Sequence, residues 1–297
     1  MSRIVSKRFL LALLLAGVAA AAGVVLIEGN TLAGPSQREI GSAPPSLHAE
    51  TVSFPSKSGA TLKGWLAPGT PGKGAVLLMH GIHADRTSML PRALFLSKAG
   101  YGVLLFDFQA NGESIGARQT FGHLESLDAR SALEYLRSRL PNERVGVIGT
   151  SLGGAAALVG PEPLDVQAMV LEAVYPTIEE ATANRIAIRL GLTAARLAAP
   201  VLLSQLRFRT GATADELRPI DRIASVRAPV FVIAGGADLY TTAAESRRLF
   251  QAAHEPKEYW ELAGAGHQDF HAFARAEYER RVLEFLQRNL RDGAGAP

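Results

Sequence analysis

Nearly unbroken apolar runs recur from residue 75 onward, each followed by a stretch of helical composition. They are AVLLMH (75–80), GVLLFDF (102–108), RVGVIGT (144–150), AMVLEAV (168–174) and PVFVIAGG (229–236). Runs this short, without polar alternation, read as strands buried on both faces. KEYWELAG (257–264) reads as the last strand, and TVSF with TLKGWLA as a hairpin pair around Ser58 and Gly59. Helices are predicted over 86–98, about 123–140, from Leu152, over 241–253 and over about 270–290. Strands alternating with helices imply a mainly parallel sheet covered on both sides. Ligands in such sheets bind at the carboxyl ends of the strands, so reactive residues are to be sought there.

The start of the chain has a different character. Phe9 to Ile27 is a run of 19 uncharged residues behind Arg3, Lys7 and Arg8. As a helix at ~1.5 Å per residue it spans roughly 28 Å, close to the ~30 Å hydrocarbon core of a bilayer. Two readings stand: a membrane anchor using the whole run (1–27), favoured by its length, and a signal peptide cleaved near Ala19-Ala20-Ala21. Either leaves the basic tip inside and the rest exported, in a periplasmic or equivalent space. A buried core helix is the bland alternative. Residues 28–49 are rich in Gly, Pro and Ser and read as a linker, and 291–297 as a flexible tail.

Charge and cysteine content narrow the function classes. The chain of 297 residues carries 31 Lys and Arg against 28 Asp and Glu, a net +3. The three basic residues of the tip account for all of it, so the body is neutral and nucleic-acid binding loses its main support. The absence of cysteine excludes disulfides, thiolate metal sites and a cysteine nucleophile.

The strand ends carry reactive residues. Gly149-Thr150-Ser151-Leu152-Gly153 is a G-x-S-x-G string between a buried strand and a helix. Small neighbours permit the sharp turn that holds a serine in a strained conformation with its hydroxyl exposed. A serine nucleophile needs a base and an acid that orients the base. His267 directly follows the last strand, in a glycine-rich loop, and is chosen over His271 and over His254, which falls in a predicted helix. Asp238, after PVFVIAGG, is chosen as the acid over Glu172; its bland alternative is a helix N-cap. His80-Gly81-Ile82-His83 follows AVLLM. There Gly81 lets the chain turn so that the Ile82 N–H, with that of Leu152, can form an oxyanion hole. His80 reads as structural, and His83 as lining the substrate pocket or facing water. No ligand cluster accompanies these histidines, so no metal is expected. Asp107 to Ser114 reads as scaffold.

HGIHADR, DFQANGES, GTSLGG, GGAD and GAGH together resemble the α/β-hydrolase superfamily, over roughly residues 50–290 and in the family's order. The resemblance implies an eight-stranded, mostly parallel sheet with helices on both faces and a Ser–Asp–His triad. It makes Ser151 similar to the nucleophile, His267 to the base and Asp238 to the orienting acid, with Ile82 and Leu152 at the oxyanion positions. Relatives often carry Arg-Gly-His-Gly-x-Ser after the second parallel strand, whereas Gln109, Ala110 and Asn111 stand at its first three positions here.

About 50 residues, near 175–228, separate two core strands, too many for a plain connection. They read as a helical cap broken near Pro200. Arg185, Arg189 and Arg196 fall on one helical face, either as its solvated side or as a basic surface toward acidic lipid. The expected activity is hydrolysis of a small carboxylic ester, lipid-like where the cap faces a membrane, with no cofactor required. The alternatives are an amidase, peptidase or thioesterase with the same residues, or a catalytically silent anchored binding module.

Overall fold

The computed structural model describes residues 7–291. The predicted tail lies, beyond Arg291, outside the described residues, as does Arg3. The main sheet holds β1 (Glu50–Pro55), β2 (Thr61–Ala67), β3 (Ala75–Met79), β4 (Gly102–Phe106), β5 (Val145–Thr150), β6 (Ala168–Glu172), β7 (Val230–Gly235) and β8 (Lys257–Leu262). Their spatial order is 8-7-6-5-3-4-2-1. β1–β2 and β2–β4 pair antiparallel, and every other pairing is parallel.

The apolar runs form strands because both faces are covered. β3, β4, β6 and β7 are buried at every position. On one face, α3 (His123–Arg139), α4 (Leu152–Leu158) and α8 (Ala243–Ala252) contribute Leu136, Leu158 and Leu249 to the core. On the other, α2 (Leu90–Lys98) and α10 (Arg275–Leu290) contribute Leu96, Val282 and Phe285. The chain leaves β3 outward to β4 and returns to β3's other side as β5. The winding reverses there, which opens a crevice at the carboxyl ends of β3 and β5.

The predicted helix over 270–290 is two pieces, α9 (Phe270–Phe273) and α10, with Ala274 between them. The cap consists of α5 (Ile178–Leu203), α6 (Leu206–Thr210) and α7 (Pro219–Ile223). Its break falls at Gly191 (φ 81°, ψ 166°), while Pro200 stays within the last helical turn. Glycine reaches that left-handed φ without steric cost. By length and composition α5 could cross a membrane. The break divides it into two pieces, 178–190 and 192–203, each reaching under roughly 20 Å.

The stretch expected to be a linker is part of the body. α1 (Lys7–Ala33) continues through residues 28–33. Gln119 N–H donates to the Ala33 carbonyl at 2.8 Å, Ser36 N–H to Ala110 at 2.7 Å and Arg38 N–H to Gly112 at 2.9 Å. Ile40 and Gly41 N–H groups both donate to Glu113 Oε1, and Leu47 is fully buried. Several backbone N–H groups of this polar, glycine-rich stretch are bonded to distant partners.

Candidate active site

β3 and β5 run in register, Met79 opposite Gly149. His80-Gly81-Ile82 and Thr150-Ser151-Leu152 therefore leave the sheet side by side. A Cβ on Gly81 would stand 3.7 Å from Ser151 Cβ. Ser151 adopts φ 50° and ψ −112° just before α4, a conformation that costs a non-glycine residue energy and is held by its surroundings. Its N–H donates to the Glu172 carbonyl at 2.7 Å, tying the turn to β6. The glycines of the string are sterically required: a Cβ on Gly153 would lie 2.4 Å from the Met79 carbonyl oxygen, and one on Gly149 2.6 Å from Gly154.

The other two members come from β7 and β8. His267 Nδ1 meets Asp238 Oδ2 at 2.7 Å. Asp238 Oδ1 accepts from the N–H groups of Tyr240 (2.7 Å) and Thr241 (2.9 Å). The capping role and the imidazole-orienting role thus coexist, one on each oxygen, while the N-cap of α8 is Thr242. The Asp238 side chain is fully buried and that of His267 is one-quarter exposed. No hydrogen bond joins Ser151 Oγ to the imidazole among the described residues. Such bonds often tighten only once substrate is bound. Ser151, His267, Ile82 and Leu152 line one cavity of about 400 Å³. The N–H groups of Ile82 and Leu152 have no protein acceptor among the described residues.

Residues 70–217 match the family described as serine aminopeptidase, S33. The uncharacterized protein Rv2307c of Mycobacterium tuberculosis is 35% identical over 240 residues, 79% of this chain and 78% of that one. The uncharacterized protein YfhR of Salmonella typhimurium is 28% identical over 82% of this chain and 83% of its own. Among solved structures, the Pyrococcus furiosus esterase Pf2001 superposes with a TM-score of 0.72 at 24% identity, covering 87% of this chain and 98% of the esterase. A Paleococcus ferrophilus monoacylglycerol lipase superposes at 0.56 with 23% identity, covering 76% and 98%. The chain belongs to the α/β-hydrolase superfamily. The eight strands and the mostly parallel pairing expected from the resemblance are those observed.

The remaining polar groups of the hydrolase divide into scaffold and pocket. Glu172, the rival acid, is buried and bonded to Arg92 (2.6 and 3.1 Å), to Tyr278 Oη and to Thr150 Oγ1 (3.0 Å). His271, the rival base, is buried against Phe95 and bonded to Glu279. His254 lies beyond the end of α8 and is exposed. His80 is fully buried; its Nδ1 faces the Gly81 carbonyl at 2.7 Å, and its Nε2 accepts from Phe108 N–H. That burial pushes its pKa down to about 4, so the ring is neutral at physiological pH. Asp107 holds the 107–114 loop by accepting from Arg86 and from the Glu113 N–H, which fits the scaffold role expected for it. Its burial outweighs the nearby guanidinium and raises its pKa to about 6.

His83 does not line the cavity, one of the two outcomes expected; it is exposed, which is the other, and its Nε2 also meets the Leu32 carbonyl of α1 at 3.1 Å. The left-handed backbone at His83 (φ 55°) accompanies this turn toward α1. Tyr240 and Arg185 are among the pocket residues that went unforeseen. Tyr240 is drawn in by its N–H bond to Asp238, and its ring centroid stands 5.4 Å from that of His267. Arg185 lies 5.2 Å over the Tyr240 ring and lines the cavity, so it is not on the solvated face with Arg196. Among the described residues no group of three or more potential metal ligands occurs.

Proposed function

We propose that this hydrolase cleaves carboxylic esters through an acyl-enzyme. His267 takes the Ser151 proton as Oγ attacks the ester carbonyl. Asp238 holds the imidazole tautomer and stabilises its cation. The Ile82 and Leu152 N–H groups receive the oxyanion, each donor contributing about 10²–10³ in rate. His267 then returns the proton to the departing alkoxide, and water attacks the acyl-enzyme by the same route in reverse. The observation that carries the reading is convergence: a strained serine, two unpaired N–H donors and an Asp-bonded imidazole border one cavity.

The match to a family described as serine aminopeptidase favours a second reading, cleavage of an amide. Matched p-nitrophenyl esters, anilides and thioesters presented to the full-length chain separate the two. The ester reading expects hydrolysis of the esters with kcat/KM at least about 10²-fold above the anilides, beyond the difference in their uncatalysed rates. Comparable acceleration of the anilides would overturn it.

We also propose that the domain is exported and held at a membrane by the apolar run that begins at Phe9, whose last residues, 24–27, dock on the cap. The large apolar side chains Leu192, Leu197, Val201 and Phe208, all exposed on the cap, support this placement. Protein that withstands alkaline extraction from membranes and is digested by protease added outside the cytoplasm would agree. Release into the soluble fraction as an uncleaved chain would contradict it.

A further inference from the structure

The cavity beside Ser151 is not closed by the hydrolase core and cap alone. Val24, Val25 and Leu32, from the end of α1, line it opposite Ile186, Leu202 and Leu206 of the cap. Their seating is specific. Gln205 Nε2 donates to the Val25 carbonyl at 3.0 Å, and Arg209 donates to the Leu26 carbonyl (2.9 Å) and to Asn30 Oδ1 (2.8 Å). At the helix end, carbonyls that a helix leaves without internal partners are met by the core. Leu32 faces the imidazole of His83, and Ala33 accepts from Gln119 N–H. His83 directly follows Ile82, so α1 rests on the same turn that carries an oxyanion N–H.

We propose that the last turns of α1, residues 24–33, are a wall of the acyl-binding cavity and set which single-chain aliphatic acyl groups the enzyme accepts. The inference rests on the ester reading above and deepens it. Branched aliphatic side chains from α1 and the cap contribute to the lining of a cavity of about 400 Å³. These side chains give extensive contact to a hydrocarbon chain, with the charged groups of Glu28, Arg185, Arg189 and Arg209 also on the lining. Each methylene buried there contributes about fourfold in binding. Cleavage after Ala21 would leave these residues on the chain, so the wall does not depend on how the N-terminal run is processed.

The lack of cysteine allows a direct test. Leu32→Cys and Val25→Cys, each in the full-length chain in lipid nanodiscs, are modified with a maleimide in the presence of dodecanoate or acetate, with Ser46→Cys as the exposed control. Dodecanoate at roughly ten times its Kd should slow modification at 32 and 25 about tenfold by mass action, and acetate and the control should show no change. In parallel, Leu32→Trp should lower the ratio of kcat/KM for a dodecanoyl nitrophenyl ester to that for the acetate ester about 50-fold or more, equivalent to about three lost methylenes. Ester hydrolysis with neither protection nor a changed chain-length profile overturns the wall and leaves the ester reading intact. Protection without hydrolysis of any ester by the unaltered chain overturns the ester reading and leaves the wall.

Discussion

Two carboxylates stand at the ends of neighbouring strands, Glu172 at the end of β6 and Asp238 just beyond β7, and both are buried. Glu172 is surrounded by the guanidinium of Arg92, the Tyr278 phenol and the Thr150 hydroxyl. Asp238 faces two backbone N–H groups and one imidazole. The first set is closed: Arg92 and Tyr278 are themselves buried and Thr150 half-buried, and the carboxylate fastens α2 and α10 to the sheet. The second set ends on a ring that is one-quarter exposed and borders a cavity. A carboxylate's sequence position at a strand end therefore leaves its role open. The partner decides it, because a guanidinium keeps its proton whereas an imidazole can take up and release one.

The contrast can be broken by substitution. Ser151→Ala should lower kcat by about 10⁶ with the fold retained, as a nucleophile acting in concert with its base requires; steady-state ester kinetics with a circular dichroism control would read this. Asp238→Asn should cost about 10⁴ in kcat with little change in KM, because the amide oxygen can keep the Tyr240 and Thr241 bonds while the imidazole tautomer is lost. Glu172→Ala should act the other way, with kcat of the folded fraction within a few-fold. Its stability to denaturant should fall by about 3–5 kcal/mol, because Arg92 is left buried without its main counter-charge. A Glu172 variant that keeps its stability but loses kcat would reverse the two roles.

The smallest effect is one of pH. His80 has its pKa depressed to about 4 in the folded chain from an ordinary value near 6.5. Between those values the unfolded chain binds the proton and the folded chain does not. His80 therefore costs stability progressively as pH falls from 6.5 toward 4. His80→Asn should be less stable than the parent at pH 7 by about 1–3 kcal/mol, through a weakened partner for Phe108 N–H. The deficit should shrink as the pH is lowered to 4.5. A deficit that stays constant or widens, followed by urea unfolding across this range, would show that the ring is not held neutral.

Much of this was legible in the sequence, for identifiable reasons. Unbroken apolar runs give strands when both faces are buried, and they did so at β3, β4, β6 and β7. Ser151 was legible because its backbone strain demands glycine at 149 and 153, which leaves a local signature. His267 and Asp238 were legible by position after strands, and the structure brings their side chains to 2.7 Å. What could not be read locally depends on distant partners. The 28–49 stretch has linker composition, yet its N–H groups reach Ala110, Gly112 and Glu113. Pro200 outranks Gly191 as a helix breaker on propensity, but the chain bends where a positive φ is available. The helical periodicity that groups Arg185 with Arg196 fails for the same reason, since Gly191 lies between them. His83 has no local feature directing it to Leu32, because that contact exists only once α1 docks.

Labelling of the full-length chain with a fluorophosphonate, followed by peptide mass spectrometry, tests the convergence of the three residues most directly. The expected result is a single adduct on Ser151, formed at least about 10³-fold more slowly in His267→Ala. An unlabelled wild-type chain, or an adduct at equal rate with and without the imidazole, would contradict it.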